Sequence, residues 1–144
     1  MRAKSELVDQ LFPKQFNCTQ TVFSLHADEF GLARETVLKI GSGFGGGMAC
    51  AETCGAVTGS YMVIGMRHGN TTSNPEAKAL IKQKIRLFNE KFKAVHKSLI
   101  CKELTGYDIS NPEELAAANN LGVFFEKCPA FIKTACEILG QELN

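Results

Sequence analysis

Apolar residues recur at intervals of three and four along most of the chain, which is the spacing of amphipathic α-helices. The first such pattern predicts a helix over Ser5–Phe12, ended by Pro13, because proline cannot continue a helix. Asn17 is a typical N-cap and predicts a second helix, which continues to Phe30 and stops at Gly31. The N-terminal part of the chain is therefore predicted as two helices.

The glycine-rich segment Gly41–Gly47 separates the next two predicted helices, since glycine favours loops and turns. Ala33–Ile40 is predicted as a short third helix, although its β-branched residues leave a strand open. A fourth helix is predicted from about Met48 to Arg67. Small residues recur every four positions along one of its faces, namely Ala51, Gly55 and Gly59. A neighbouring backbone could approach that face closely.

The fifth predicted helix begins at Pro75, because proline suits the first helical position and Asn74 precedes it as a cap. Its apolar pattern continues towards Leu104 and Gly106. The pattern is compatible with one long helix or with a break near Ser98. Both interpretations keep this part of the chain helical.

The C-terminal part predicts a short helix over Pro112–Ala118 and a last helix over Cys128–Leu143, with Pro129 in its first turn. No segment shows the period-two alternation of strands, and no repeat of fixed length is visible. The chain is therefore predicted to be all-α, an irregular bundle of about six or seven helices. We expect one domain over residues 1–144, the usual size for a single hydrophobic core.

Composition and charge exclude several classes of protein. The 16 basic and 15 acidic side chains nearly cancel, and the lysines are spread along helices, so nucleic acid is not expected as a partner. Residues 1–10 lack the apolar core of a secretory signal. The longest apolar stretch, Val57–Met66, is shorter than the ~20 residues of a membrane span. We expect a cytoplasmic protein without a membrane span.

Six cysteines are many for 144 residues, and in a reducing cytoplasm they indicate metal ligation, redox chemistry or packing. Cys50 and Cys54 are four residues apart. On one helix they would share a face, with Cβ atoms about 5–6 Å apart. A disulfide needs about 3.5–4.5 Å, so this spacing favours metal ligation over a bridge.

Three cysteines lie near predicted helix starts, where partial positive charge and free N–H groups stabilise a thiolate. They are Cys18 after Asn17, Cys50 after the glycine-rich segment, and Cys128 before Pro129. The cysteine spacings match no zinc-finger or ferredoxin pattern, so spacing alone leaves open whether the sulfurs meet.

Several motifs together resemble the C_GCAxxG_C_C family, whose members are described as redox-active, and the resemblance covers nearly the whole chain. The motifs are Asn17-Cys18, Gly43-Phe44-Gly45-Gly46-Gly47, Glu52-Thr53-Cys54-Gly55-Ala56 with Gly59, Cys101-Lys102-Glu103-Leu104 with Gly106, and Cys128-Pro129. The resemblance implies a helical domain with four characteristic cysteines: Cys18, Cys54, Cys101 and Cys128.

Those four cysteines are expected to provide redox thiols or metal ligands at one site. Four thiolates suffice for an iron-sulfur cluster, and they would hold zinc equally well. Cys50 is an additional candidate ligand, whereas Cys136 completes an apolar stripe and is expected to pack. Four glycines are expected to let the backbone approach the centre: Gly45, Gly46, Gly47 and Gly55.

Two other interpretations stay open. The protein could be a thiol-disulfide oxidoreductase without metal, or an assembly module with packed cysteines in which the small-residue face of the fourth helix joins two subunits. Whether it is an oxidoreductase or an electron-transfer protein is not decided by the sequence. Its redox partner is unknown, and a homodimer is allowed.

Two cofactor motifs are not supported by their surroundings. Gly41–Gly46 satisfies G-x-G-x-x-G, but a dinucleotide site also needs a preceding strand and an acidic residue ~20 positions later. The sequence contains no Cys-x-x-Cys-His, which c-type haem attachment requires. Nucleotide and haem binding are therefore not predicted.

Overall fold

A computed structural model describes residues 4–12 and 16–141, and these residues are largely helical. Their only extended pairing is an isolated bridge between Thr53 and Ile100, so the all-α prediction is confirmed. The eight α-helices within the described ranges are α1 (Lys4–Leu11), α2 (Cys18–Leu25), α3 (Arg34–Gly41), α4 (Gly55–His68), α5 (Pro75–His96), α6 (Cys101–Thr105), α7 (Pro112–Asn120) and α8 (Val123–Leu139).

Three helices begin where an asparagine cap predicts a start. The Asn17 side chain accepts from the Gln20 N–H, and the Gln20 side chain accepts from the Asn17 N–H, which forms a capping box on α2. Asn74 and Asn111 cap α5 and α7 by accepting from N–H groups of the first turn, without the returning bond of a capping box, and each is followed by proline. Pro13 and the predicted helix end at Leu143 lie outside the described residues.

The second helix is shorter than predicted. α2 ends at Leu25, because the His26 N–H donates to the Phe23 carbonyl and tightens the last turn. A 3₁₀ turn, Ala27–Phe30, follows and ends at Gly31, whose φ of 66° is left-handed. The predicted stop at Gly31 is therefore confirmed, although the helix before it is broken.

The predicted start of the fourth helix near Met48 is wrong. Residues 46–51 form a π-type turn in which five residues have left-handed φ angles: Gly46, Gly47, Met48, Ala49 and Ala51. A right-handed helix cannot run through such residues, so α4 begins only at Gly55. Cys50 and Cys54 consequently do not share a helix face, and the argument from their spacing fails.

The break predicted as one option near Ser98 is present. α5 ends at His96, and Lys97 adopts a left-handed φ of 74° as its C-cap. Ile100 then precedes α6, which starts at Cys101. This break divides the predicted fifth helix into α5 and α6, so the described residues contain eight α-helices, close to the about six or seven expected.

The small-residue face of α4 packs inside the chain, against α2. A Cβ added to Gly59 would lie 2.9 Å from the Thr19 carbonyl oxygen, and one added to Gly55 would lie 2.8 Å from the Thr19 hydroxyl oxygen. These glycines therefore let two helix backbones touch. Because α2 covers this face, it cannot join two subunits, and that form of the assembly interpretation is wrong.

α8 lies at the centre of the bundle and packs against α1, α4 and α5. It begins at Val123, so Pro129 lies inside it and Cys128 does not stand at a helix start. That prediction is wrong. Buried apolar side chains of α8 and α5 form much of the core: Phe131, Ile132, Ala135, Leu139, Phe88 and Phe92. None of the helices in the described ranges has the length and apolar character of a membrane crossing.

Candidate functional site

Four cysteines that are far apart in the sequence line one cavity of about 410 Å³. They are Cys18, Cys54, Cys101 and Cys128, contributed by the region of α2, α4, α6 and α8. All four are buried. We call this space the sulfur cavity.

Three of these cysteines lie at helix starts. Of the three that the sequence suggested, only Cys18 is among them. Cys18 and Cys101 are the first residues of α2 and α6, and Cys54 is the N-cap of α4. Cys50 instead lies in the left-handed turn, and Cys128 is five residues into α8. The partial positive charge of helix N-termini therefore reaches the cavity from three directions.

A short antiparallel bridge fixes Cys54 and Cys101 relative to each other. The Cys54 N–H donates to the Leu99 carbonyl over 2.8 Å, and the Cys101 N–H donates to the Glu52 carbonyl over 2.5 Å. Lys102 and Glu52 form an exposed ion pair on the same bridge, with 3.8 Å between charged atoms. Main-chain hydrogen bonds thus determine the separation of Cys54 and Cys101, which lie on different helices.

Asn17 fastens the start of α2, and with it Cys18, to the glycine-rich segment. Its side-chain amide donates to the carbonyls of Gly41 and Ser42 over 3.4 and 3.3 Å. A Cβ on Gly45 would lie 2.6 Å from the Asn17 Cβ, so only glycine fits there. One side chain therefore caps α2 and holds the loop beside the cavity.

The four candidate glycines divide into two pairs. Gly46 and Gly55 line the sulfur cavity, and a Cβ on Gly55 would lie 2.9 Å from the Cys18 Cβ. Gly45 packs on Asn17, and a Cβ on Gly47 would lie 2.3 Å from the Glu52 nitrogen. Close backbone approach to the cavity is therefore provided by Gly46 and Gly55, while the other pair shapes the turn.

Burial is the main cause of the raised pKa of two cavity thiols. It raises the pKa of Cys54 to about 12 and the pKa of Cys101 to about 11, because a thiolate is poorly solvated in an apolar site. The backbone N–H groups at the start of α4, chiefly that of Ala56, favour the Cys54 thiolate and oppose part of that rise in pKa. In the absence of a bound cation, both groups are therefore thiols at neutral pH.

Cys18 and Cys128 influence each other's ionisation. The interaction between their side chains lowers the pKa of Cys128 and raises that of Cys18, since the remaining thiol stabilises the first thiolate. The nearby Lys127 ammonium lowers the pKa of Cys128 further. Cys128 is therefore the cavity thiol that ionises first.

The rest of the cavity wall is mostly apolar. Its large side chains are Phe12, Phe16, Leu104, Ile109, Leu115, Phe124 and Phe131. Asn17 and Thr105 add polar atoms, and the Thr105 hydroxyl donates to the Cys101 carbonyl over 2.8 Å. Such a wall restricts water, which strengthens electrostatic interactions between the sulfurs and any bound group.

The two remaining cysteines lie elsewhere. Cys136 is buried in the apolar core, as predicted, and burial raises its pKa to about 12. Cys50 is exposed and does not line the sulfur cavity as the described residues define it. Cys136 differs from the four cavity cysteines in having no second sulfur among the groups that shift its pKa.

The described His, Cys, Asp and Glu side chains do not form a site for a single metal ion. Within residues 4–12 and 16–141, no three His, Cys, Asp or Glu side chains are placed to hold one metal ion. All six cysteines are free thiols. The four cavity sulfurs therefore surround a common space without converging on a single ion position.

The protein is therefore an all-α bundle in which four buried thiols line one cavity. The sequence model of the family described as "Putative redox-active protein (C_GCAxxG_C_C)" matches residues 16–142, and the chain belongs to this family. All four cavity cysteines lie within the matched residues. No curated protein and no solved structure matches the chain.

Proposed function

We propose that this protein is an electron-transfer protein whose sulfur cavity binds an iron-sulfur cluster. Four buried thiols lining one cavity support this proposal most strongly. Four cysteine thiolates are the ligand set of both [2Fe–2S] and [4Fe–4S] clusters. The ligands would be Cys18, Cys54, Cys101 and Cys128.

The lack of a site for a single ion among the described residues favours a cluster over zinc. A Zn–S bond is about 2.3 Å long, so the ligands of one zinc ion lie within about 4.6 Å of one another. Each ligand of a [4Fe–4S] cluster binds a different iron atom, so the four sulfurs of such a cluster lie farther apart. A cavity of about 410 Å³ whose donors do not converge on one ion position suits the larger group.

The protein contributes the surroundings that such a centre needs. The backbone N–H groups at the start of α4, chiefly that of Ala56, favour the Cys54 thiolate, the kind of interaction that tunes a potential. The apolar wall limits contact with water. When bound, the cluster supplies reversible one-electron chemistry. We place the protein in the cytoplasm, where thiols stay reduced until they are ligated.

A second function is favoured by one observation: Cys18 and Cys128 line the same cavity and shift each other's pKa values in opposite directions. In a metal-free thiol-disulfide oxidoreductase, the Cys128 thiolate would attack a substrate disulfide and release one thiol. Cys18 would then displace the second thiol and close a Cys18–Cys128 disulfide. Two electrons and two protons pass from the protein to the substrate.

Anaerobic purification followed by iron and sulfide analysis tests the proposal. We expect a brown protein with stoichiometric iron and acid-labile sulfide. Cys54→Ser should lose the iron, whereas Cys136→Ser, an equally buried control, should keep it. Equal loss of iron in both variants would contradict the assignment of ligands. A colourless protein that forms the Cys18–Cys128 disulfide would support the oxidoreductase instead, and indifference to thiol alkylation would support packed cysteines.

A further inference from the structure

Charge is unevenly distributed along the chain. Residues 75–97 contain seven of the 16 basic side chains and only two of the 15 acidic ones, so this segment has a formal charge of +5. The rest of the chain has a formal charge of −4. The near-neutral total therefore conceals a strongly basic helix, α5.

Most of this positive charge lies on one face of α5. At 100° per residue, four exposed side chains of α5 fall within an arc of about 80° and extend along about 22 Å of the helix axis, and the exposed Lys97 follows directly as the C-cap. We call these residues the basic face: Lys78, Lys82, Arg86, Lys93 and Lys97. A stripe of this kind presents charge to a partner along the whole helix.

Within the described part of the chain, no side chain of the basic face forms an ion pair, and the nearest acidic side chain on α5 is Glu90, one turn from Arg86 and Lys93. The three ion pairs found there use other cations: Arg67, Lys102 and Lys133. Lys78 bonds only to a neutral group, the Ser73 hydroxyl. Uncompensated charges on one face attract a partner of opposite sign and accelerate its association.

One end of the basic face is connected to the sulfur cavity by two aromatic rings. His96 lies beside Lys93 and Lys97, and its ring meets the Phe131 ring edge-on with 4.9 Å between centroids. Phe131 lines the cavity. The Thr134 hydroxyl holds the His96 ring through a 2.8 Å hydrogen bond. A partner docked here is thus separated from the cavity by only two packed side chains.

We propose that the basic face docks an acidic one-electron carrier protein, which exchanges electrons with the sulfur cavity. The inference rests on the proposed redox function. In each encounter one electron would pass between the carrier and the centre in the cavity, so that one is oxidised as the other is reduced, and no bond forms or breaks. Nucleic acid is less suited to this surface, because the large apolar side chains exposed on α5 are Leu80 and Val95, with no aromatic ring for base stacking.

Binding of an acidic flavodoxin, a probe with a coloured one-electron cofactor, tests the docking surface. We expect association at low ionic strength that weakens as salt is added. The double variant Arg86→Glu/Lys93→Glu should weaken binding by at least about tenfold. The control Lys4→Glu/Lys39→Glu makes the same change in net charge at exposed sites elsewhere and should bind nearly as well as the native chain.

Carbodiimide cross-linking then locates the contact, because it joins lysine amines to carboxylates of the bound flavodoxin. Cross-links at Lys82, Lys93 or Lys97 support the inference. Equal weakening in both double variants, or binding of single-stranded DNA at α5 without binding of flavodoxin, overturns it. The binding assay needs no metal centre. If flavodoxin binds as expected but no electron reaches the cavity, the docking surface stands and the proposed redox function fails.

Discussion

Cys54 and Cys136 are equally hidden from solvent but lie in different surroundings. Their exposed fractions are 4% and 6%, and burial raises the pKa of each to about 12. Cys54 faces a cavity with three other sulfurs, whereas Cys136 lies among apolar core side chains. Burial and a raised pKa therefore do not identify a thiol site. The gathering of sulfurs does.

The backbone explains the difference between the two residues. Cys54 precedes α4, where the first N–H groups have no partner within the helix and can donate to a sulfur. Cys136 lies inside α8, where the N–H groups are used by the helix itself. Only the first arrangement stabilises a thiolate or an anionic centre. Substitutions near the sulfur cavity can therefore be measured against Cys136 as a reference in the apolar core.

The largest effect on stability is expected from Gly59→Ala, which affects the contact that positions Cys18. The new Cβ would lie 2.9 Å from the Thr19 carbonyl oxygen and 3.1 Å from the Val22 Cβ, so α2 must move. We expect a loss of about 2 kcal/mol in the free energy of unfolding, measured by urea titration. Alkylation of Cys18 should become faster, while alkylation of Cys136 should not change.

Gly65→Ala is the matched control, since Gly65 is also in α4 but has open space around its Cβ position. It should be neutral or stabilising by up to about 1 kcal/mol, the gain in helix propensity. If both variants have the same stability, the close approach of α2 and α4 contributes nothing to the fold.

Alkaline pH should destabilise the metal-free protein through its buried thiols. The pKa of Cys54 is 9.0 in the unfolded chain and about 12 in the folded one, so the stability it provides is present below pH 9 and lost as pH rises towards 12. Each such thiol should cost about 1.4 kcal/mol per pH unit above 9. Urea midpoints at pH 8 and pH 10 measure this slope.

Cys54→Ser and Cys136→Ser should reduce the alkaline slope by equal amounts in the metal-free protein, because their pKa values are raised alike. In the protein with a bound cluster, only Cys136→Ser should still reduce it, because the Cys54 sulfur is then already a ligated thiolate. A slope that depends on Cys54 in both forms would argue against ligation by this residue.

Local chemistry explains which elements the sequence could predict. Asn17, Asn74 and Pro112 marked helix starts correctly, because a cap acts on N–H groups only two or three residues away. Met48 was misassigned, because its left-handed φ of 61° is opposite to the preference of its side chain and no neighbouring residue indicates it. Pro129 was misassigned to the first turn of a helix, because proline usually avoids helix interiors. In the structure it lies inside α8.

The candidate site could be predicted only in part. The spacing of the cysteines did not show that they meet, because their convergence depends on tertiary contacts such as the bridge between Thr53 and Ile100. Only the family resemblance selected Cys101, whose helix start was hidden inside an apparently continuous pattern. The separation of Cys50 from the site could not be anticipated without the left-handed turn.

A moderate effect is expected from Asn17→Ala, which removes the cap of α2 and the contacts with Gly41 and Ser42. We expect a loss of about 1 kcal/mol in unfolding free energy and faster alkylation of Cys18. Asn17→Asp keeps the oxygen that accepts from the Gln20 N–H but loses the amide donors. It should therefore recover part of the stability, and no recovery would mean that the loop contacts outweigh the cap.

The smallest effect is expected from Glu52→Gln, although Glu52 belongs to the bridge that fixes Cys54 and Cys101. Its ion pair with Lys102 spans 3.8 Å between side chains that are about half exposed, so water and salt screen it. The Glu52 carbonyl, which accepts from the Cys101 N–H, is unchanged by the substitution. We expect a loss below about 0.5 kcal/mol and unchanged iron content. Lys102→Gln should behave alike, and substantial loss of iron in either variant would show that charge, and not the main chain, holds these two sulfurs together.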